Sequence, residues 1–190
     1  RAVPAEPPRG EASLCGADPI TVRSVIKPVS FTKYTDDSYI YDFGVNTAGL
    51  CRLRINGTEG QKVLMRFFET FVDGEPYFRN NRFDPNDRFQ EDEYYCSGEG
   101  TEEYTPHFTY HGFRYVLVSG ITAEQATSEL LTYLEMGSDI KQSGAFTCSD
   151  ETVNKIQEAT VRSHTSNFFY FPTDCPQREK NGWTADASLS

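Results

Sequence analysis

Short segments in which apolar and polar residues alternate cover most of the chain, and this period of two predicts β-strands. From Ile20 to about residue 136, the segments are separated by glycine, asparagine and aspartate, which are typical of turns. The clearest segments are 38–43, 50–55, 62–69, 77–78, 93–96, 113–118 and 129–134. Seven or eight short strands in succession predict a mainly β protein, an antiparallel β-sandwich of jelly-roll type.

Turn residues indicate where the predicted strands end. Gly44 is expected to end the first of them. Asn56-Gly57 is a strong signal for a tight hairpin between the second and third strands. Asp73-Gly74 predicts a further turn.

The hydrophobic period lengthens to three or four residues after Cys148, which predicts one amphipathic helix. Ser149 is the expected N-cap, with Asp150 and Glu151 in the first turn, where the helix dipole favours acidic side chains. The helix is expected to end before Pro172. Its apolar positions are Val153, Ile156, Thr160 and then His164 or Phe168.

This change of period divides the chain into three parts. Residues 1–19, rich in proline, alanine and glutamate, are predicted to be a linker. Residues 20–142 are predicted to form the β-sandwich domain, and residues 143–190 begin a helical domain.

The net charge excludes some classes of partner. A formal charge of −10, from 28 acidic and 18 basic residues, argues against nucleic acids and anionic membrane surfaces. No apolar run approaches the roughly 18 residues of a membrane span, which predicts a soluble protein. The N-terminus lacks the apolar centre of a signal peptide, and because the chain begins at Arg1, we expect further sequence upstream.

Cysteine usage indicates the redox compartment. The five cysteines are an odd number without a Cys-x-x-Cys pair, which suggests neither a disulfide framework nor a zinc site. Reduced thiols in the cytoplasm fit best, with an extracellular setting as the alternative. No metal and no cofactor is predicted. The cysteines are Cys15, Cys51, Cys96, Cys148 and Cys175.

Two further segments, the acidic turn at 84–87 and the cysteine at 175, each have two interpretations. Asp84-Pro-Asn-Asp87, with Asp92, offers oxygen ligands for calcium, but it lacks the spacing and glycine of an EF-hand loop. A solvated turn is the better interpretation. Cys175 lies beside Asp174, but no histidine follows it, which favours a buried structural cysteine over a nucleophile.

His107 and His111 lie four residues apart, a spacing that serves metal binding only on a helix. Pro106 and Gly112 favour extended structure here. We therefore expect hydrogen-bonded histidines at a domain boundary.

The residues best suited to catalysis lie in the segment after Pro172: Asp174, Arg178, Glu179, Trp183 and Asp186. Carboxyl groups can protonate and orient a sugar, a guanidinium can fix charge, and an indole can cover a pyranose ring. The alternative is a solvated acidic loop. However, the aromatic run 167–171 favours a packed setting, in which burial raises the pKa of a carboxyl group as a general acid requires, while a nearby arginine lowers it.

Four motifs occur in order along the chain: Tyr41-Asp-Phe-Gly-Val-Asn46, Phe108-Thr-Tyr-His-Gly-Phe-Arg-Tyr115, Gly144-Ala-Phe-Thr-Cys-Ser149, and Asp174-Cys-Pro-Gln-Arg178 followed by Glu179 and Gly182-Trp-Thr184. Together they resemble the bacterial α-L-rhamnosidases of glycoside hydrolase family 78. The resemblance extends from about residue 20 to the end of the chain.

The resemblance implies a β-sandwich followed by an (α/α)6 barrel, with the predicted helix as the first barrel helix. The motifs at 41–46 and 108–115 would then have structural roles in the sandwich. A twelve-helix barrel needs on the order of 200 residues. Residues 143–190 would therefore be only its N-terminal part, and the barrel would be truncated.

The resemblance also implies roles for the C-terminal residues. Glu179 matches the general acid, and Arg178 matches an arginine close to it. Asp174 and Asp186 match carboxylates that bind rhamnose hydroxyls, and Trp183 matches an aromatic wall against the sugar. The family inverts configuration, so a second carboxylate roughly 6.5–9.5 Å away must activate water. In the family, that base comes from later in the barrel.

Two departures from the family pattern are present. Between Arg178 and Trp183 the chain has one residue fewer than many members, so the register of Glu179 depends on this gap. Ala185 replaces a common glycine.

The predicted function is release of terminal α-L-rhamnose from a rhamnose-containing oligosaccharide or glycoside, with the isolated chain inactive. One alternative is a carbohydrate-binding or structural sandwich module, and another is a different deoxy or uronic sugar as substrate. An isolated barrel helix would expose Val153, Ile156 and Phe168. Residues 143–190 should therefore be poorly ordered, fold back on the sandwich, or be covered by another copy in a homo-oligomer.

Overall fold

The computed structural model describes residues 3–7, 9–81, 90–183, 185 and 188. Within these residues the chain forms twelve strands, one α-helix and one short 3-10 helix, Arg79–Asn81. The helix is α1 (Glu151–Ser166). The strands are β1 (Ile20–Ile26), β2 (Ser30–Thr35), β3 (Ser38–Asn56), β4 (Lys62–Phe68), β5 (Phe71–Val72), β6 (Glu75–Pro76), β7 (Glu91–Tyr95), β8 (Thr101–Tyr104), β9 (His111–Ser119), β10 (Leu131–Ser138), β11 (Phe168–Phe169) and β12 (Phe171–Pro172).

The longest strand, β3, organises the antiparallel sheet because its two halves have different neighbours. Residues 38–42 pair with β2 and with β9. After an irregularity between Asp42 and Thr47, residues 49–53 pair with β10, and residues 53–56 pair with β8. The strand order is β1-β10-β3-β9-β4-β7. β3 thus passes from one layer of the β-sandwich to the other, and the predicted sandwich is confirmed.

Two predictions about turns are wrong because of this long strand. Gly44 does not end a strand; with a φ of 75° it lies in the irregularity of β3, which continues to Asn56. Asn56-Gly57 does not form a hairpin, since β3 and β4 are not neighbours in the order of the described strands. By contrast, Asp73-Gly74 does form the turn between β5 and β6, and both residues have the positive φ of a tight hairpin.

Side chains from both layers meet in one hydrophobic core. Both halves of β3 contribute to it, through Tyr41 and Leu53 for example, as do alternate residues of β4, β9 and β10. The rings of Phe113 and Tyr133 stack with centroids 4.0 Å apart, which joins β9 to β10 across the core. The alternation read from the sequence therefore corresponds to inward-facing positions of the strands.

Helix α1 begins one residue later than predicted. Asp150, rather than Ser149, is the N-cap, and its carboxylate accepts the N–H groups of Thr152 at 2.8 Å and Val153 at 3.4 Å. The helix ends at Ser166, before Pro172 as predicted. Serine and aspartate cap helices about equally well, so local sequence could not choose between the two neighbouring residues.

The C-terminal end of α1 lies against the sandwich. Arg23 of β1 donates to the carbonyl of Thr165 at 2.8 Å, where the helix dipole favours a cation. The hydroxyls of Thr47 and Ser166 are 2.9 Å apart. Of the three arrangements expected for this region, the described residues show the one that folds back on the sandwich. The N-terminal apolar side chains remain exposed: Val153 by 40% and Ile156 by 60%.

Candidate active site

The segment with the predicted catalytic residues forms a closed loop, residues 173–183, called the acid loop below. It follows the short hairpin of β11 and β12. Thr173 and Gly182 form an antiparallel β-bridge, and the N–H of Asp174 donates to the carbonyl of Asn181 at 3.0 Å. These contacts join the two ends of the loop. The acid loop is therefore a folded element, which argues against the solvated alternative.

Hydrogen bonds hold both carboxylate oxygens of Asp174. Oδ1 accepts the N–H of Asn181 at 3.1 Å, and Oδ2 accepts the thiol of Cys175 at 3.4 Å. Burial acts to raise the pKa of Asp174, but hydrogen bonds from Asn181, Glu179 and Cys175 outweigh it, so this pKa lies below its usual value. Asp174 is therefore ionised at neutral pH and suited to accepting hydrogen bonds.

Glu179 lies between Asp174 and Arg178. Its side chain is near enough to Asp174 to help lower the pKa of that carboxyl group. Its Oε1 lies 3.2 Å from an Nη of Arg178, and both side chains are partly exposed. The structure thus brings three of the five sequence-predicted residues, Asp174, Arg178 and Glu179, together in one loop.

The other two predicted residues, Trp183 and Asp186, are not among the three residues that the loop brings together. Trp183 follows the β-bridge at the end of the acid loop and is 53% exposed. Asp186 lies outside the described residues, as does the calcium candidate Asp84–Asp87. Among the residues that the structure describes, no group of three or more His, Cys, Asp or Glu side chains is placed to hold a metal ion.

Cys175 is an organising residue of the acid loop that sequence reasoning only partly anticipated. It is half-buried rather than fully buried. Its sulfur accepts the backbone N–H of Glu179 at 3.2 Å, while its carbonyl accepts the N–H of Lys180 at 3.2 Å. Cys175 thus contacts the backbone of the expected acid directly.

Lys180 anchors the acid loop and was missed by sequence reasoning. Its Nζ donates to the carbonyl of Tyr110 at 2.5 Å and lies 4.6 Å from the centroid of the Tyr110 ring. That ring also stacks on Phe169, with centroids 3.8 Å apart. Burial lowers the pKa of Lys180 to about 8. A lysine in a polar segment gives no sequence signal for such burial.

The acid loop rests on strand β9 at Gly112. A Cβ atom there would lie 2.7 Å from Cγ of Pro176 and 3.0 Å from the backbone nitrogen of Gln177. Only glycine allows so close an approach. The adjacent His111 is buried and hydrogen-bonded, as predicted for a boundary position, whereas His107 is exposed and does not fit that prediction.

A cavity of about 400 Å³ lies between the acid loop, helix α1 and the sandwich. Asp174 of the acid loop and Arg162 of the helix both form part of its wall. On the sandwich side, Glu69 accepts hydrogen bonds from Asn46 at 2.8 Å and from Gln177 at 3.2 Å. The cavity is therefore lined by charged and amide groups, which suit a polyhydroxylated ligand.

No helix in the described part of the chain is long and apolar enough to cross a membrane.

Two families match consecutive parts of the sequence. Residues 32–136 match the bacterial alpha-L-rhamnosidase concanavalin-like domain. Residues 141–190 match the bacterial alpha-L-rhamnosidase 6 hairpin glycosidase domain.

Individual relatives agree with these matches. An alpha-L-rhamnosidase of Formosa agariphila is 33% identical over 163 residues, which cover 85% of this chain and 17% of that protein. One of Alteromonas sp. is 35% identical over 173 residues, which cover 89% of this chain and 18% of that protein. The chain thus spans about a sixth of the length of these curated relatives.

Solved structures show the same fold. The alpha-L-rhamnosidase from Dictyoglumus thermophilum superposes with a TM-score of 0.84 at 38% identity, covering 91% of this chain and 19% of that one. The Streptomyces avermitilis alpha-L-rhamnosidase complexed with L-rhamnose gives a TM-score of 0.81 at 30% identity, covering 88% of this chain and 16% of that one.

Proposed function

The chain belongs to the bacterial α-L-rhamnosidase family, and from this premise we propose that the whole protein is an inverting glycosidase. It releases terminal α-L-rhamnose from a rhamnose-containing oligosaccharide or glycoside. The observation that carries this proposal is the acid loop itself, in which Arg178 lies 3.2 Å from Glu179 and the pKa of Asp174 is held below its usual value. It provides one ionised carboxylate and one candidate proton donor in a single short loop.

In this proposal Glu179 is the general acid. It protonates the glycosidic oxygen as the bond to the sugar breaks. Because the pKa of Asp174 lies below its usual value, Asp174 accepts hydrogen bonds from sugar hydroxyls and stays ionised through the reaction. Arg178 orients Glu179 through their contact at 3.2 Å.

Two further residues complete the proposed sugar site. Trp183 packs its half-exposed indole against the apolar face of the sugar. Asp186 binds a second set of hydroxyls. The cavity beside Asp174 has polar walls, but Arg178, Glu179 and Trp183 do not line it.

The general base is proposed to lie outside these 190 residues, since the chain spans only about a sixth of its curated relatives. The isolated chain is then inactive. Turnover of p-nitrophenyl α-L-rhamnoside by the chain alone would overturn this part of the proposal. Proton NMR of the first product anomer tests inversion in the whole protein.

The role of Glu179 is tested by leaving-group dependence in the whole protein. Glu179→Gln should lower kcat/KM by roughly a hundredfold or more on natural rhamnosides, whose leaving groups need protonation. The loss should be much smaller on p-nitrophenyl α-L-rhamnoside, because p-nitrophenolate leaves without a proton. Equal losses on both substrates, or near-normal turnover on both, would show that Glu179 is not the acid.

Glu103→Gln is the matched control. Glu103 lies on β8 and pairs only at the surface with Arg54, at 3.5 Å. This variant should keep normal turnover of both substrates, because an exposed ion pair contributes little to stability. Failure of the wild-type protein to cleave any α-L-rhamnoside would overturn the proposed activity itself.

We also propose a structural role for the sandwich, supported by its direct contact with the acid loop at Gly112. In the carbohydrate-binding alternative, calorimetry of the 190-residue chain with L-rhamnose would show binding heat that Trp183→Ala leaves intact.

The proposed domains are a linker (1–19), a sandwich domain (20–142) and the start of the helical barrel (143–190). This division fits the end of β10 at Ser138 and the start of α1 at Glu151.

A cytoplasmic location is proposed from the five free cysteines, and cell fractionation tests it. Self-association through the exposed helix face is a further proposal, which sedimentation of the whole protein tests.

A further inference from the structure

His111 lies in the interior between the sandwich and the acid loop, with 1% of its surface exposed. Its ring stacks on Phe67 with centroids 4.1 Å apart. Both ring nitrogens have polar partners: Nδ1 lies 2.9 Å from Oε1 of Gln90, and Nε2 lies 3.1 Å from Oδ2 of Asp92. Both polar atoms of the buried ring are therefore satisfied, and the two partners fix its orientation.

Gln90 connects His111 to the acid loop, and its second hydrogen bond fixes which end of its amide faces the histidine. The side-chain nitrogen of Gln90 donates to the backbone carbonyl of Gln177 in the acid loop. Its oxygen therefore faces His111, and Nδ1 of His111 is placed to donate to it at 2.9 Å. The orientation of the imidazole thus fixes the amide that holds Gln177.

The same strand holds the acid loop at a second point. Lys180 donates to the carbonyl of Tyr110, the residue immediately before His111. The backbone of Gln177 also lies directly against Gly112. The acid loop is therefore tied to residues 110–112 on both sides of Glu179, at the residues two before it and one after it.

We infer that His111 is a positioning residue: through Gln90 it holds the carbonyl of Gln177 and so fixes the backbone that carries Glu179. The inference rests on the proposed role of Glu179 as the acid. His111 is buried behind the loop and does not act on substrate itself. Small displacements of a catalytic group reduce rate strongly, so this contact contributes to kcat.

The contact is tested by Trp183, the only tryptophan of the chain, whose fluorescence reports on the acid loop without any enzymatic assay. His111→Phe keeps a ring to stack on Phe67 but cannot donate to Gln90. In the 190-residue chain it should shift the emission of Trp183 and raise its quenching by acrylamide. His111→Gln, which can donate, should restore much of the wild-type signal.

Gln90→Glu provides a second test that does not disturb the aromatic stack. The introduced carboxylate can still accept a hydrogen bond from His111. However, it has no N–H to donate to the carbonyl of Gln177, and its charge repels that oxygen. Gln61→Glu is the matched control, because the amide of Gln61 also donates to a backbone carbonyl, that of Gly120, within the sandwich. Only Gln90→Glu should alter the Trp183 signal.

In the whole protein, Gln90→Glu should lower kcat by roughly tenfold or more with little change in KM, whereas Gln61→Glu should leave both unchanged. Wild-type Trp183 emission and quenching in both His111→Phe and Gln90→Glu would overturn the inference. So would equal losses of kcat in Gln90→Glu and Gln61→Glu. If the wild-type protein cleaves no rhamnoside, the proposed function fails, and the Trp183 signal alone decides the role of His111.

Discussion

The sulfur of Cys175 accepts the backbone N–H of Glu179 at 3.2 Å, while its thiol hydrogen points to Oδ2 of Asp174 at 3.4 Å. One side chain therefore connects the residue proposed to donate the proton with the residue proposed to hold the sugar. The two contacts close a turn of five residues, which sets the distance between the two carboxyl groups. Cys175 thus shapes the site through these two hydrogen bonds.

Replacing Cys175 should loosen this turn. Cys175→Ala removes the acceptor of the Glu179 N–H, at a cost of about 1 kcal/mol in the free energy of unfolding. In the whole protein, kcat should fall more than KM rises, because the two carboxyl groups lose their fixed spacing. Urea unfolding and steady-state kinetics measure the two effects. Cys15→Ala, at an exposed position, is the control, and identical behaviour of the two variants would contradict this role.

Gly112 should tolerate no side chain. In Gly112→Ala, the new Cβ would lie 2.7 Å from Cγ of Pro176, whose ring cannot turn away, so the acid loop must move. We expect a loss of about 1–3 kcal/mol in unfolding free energy and a changed emission of Trp183. Gly144→Ala is the control, because a Cβ there meets nothing within 4 Å. Unchanged emission in Gly112→Ala would show that the loop does not rest on β9.

Lys180 should make stability depend on pH in the alkaline range. Burial lowers its pKa to about 8 from a model-compound value of 10.5. Between these values the unfolded chain binds a proton that the folded chain does not, so the free energy of unfolding rises with pH. Below about pH 8 both states are protonated, and the cost of burying the charge is fully present.

Lys180→Met removes this titration. Relative to the variant, the wild-type chain should gain about 1–3 kcal/mol of unfolding free energy between pH 7.5 and pH 10.5, as the folded lysine loses its proton first. Denaturant unfolding at several pH values measures the difference. Lys155→Met is the control, since Lys155 is exposed on α1. Parallel stability curves for wild type and Lys180→Met would show that Lys180 is not buried as described.

Local features of the sequence predicted much of the fold because they act over short distances. Alternation predicted the strands of the sandwich, since side chains of a strand point to opposite faces by geometry. The turn at Asp73-Gly74 was predictable because its positive φ values favour those residue types. The helix was predictable to within one residue of its N-cap.

The path of β3 and the support of the acid loop depend on contacts between distant residues. Nothing near Gly44 indicates that β3 continues through it while passing to the other layer, and nothing near Asn56 indicates that β4 does not pair with β3, because strand neighbours are chosen across the whole chain. Likewise, no local pattern links Gln90 to Gln177, or Tyr110 to Lys180.

The family resemblance, the sandwich and the residues proposed for catalysis could all be read from residue types and their spacing. The support of the acid loop could not: Cys175 holds it from within, and Gly112, His111 and Lys180 hold it against residues 110–112. These contacts join segments far apart in the chain, so the burial and the hydrogen-bond partners exist only once the layers have packed.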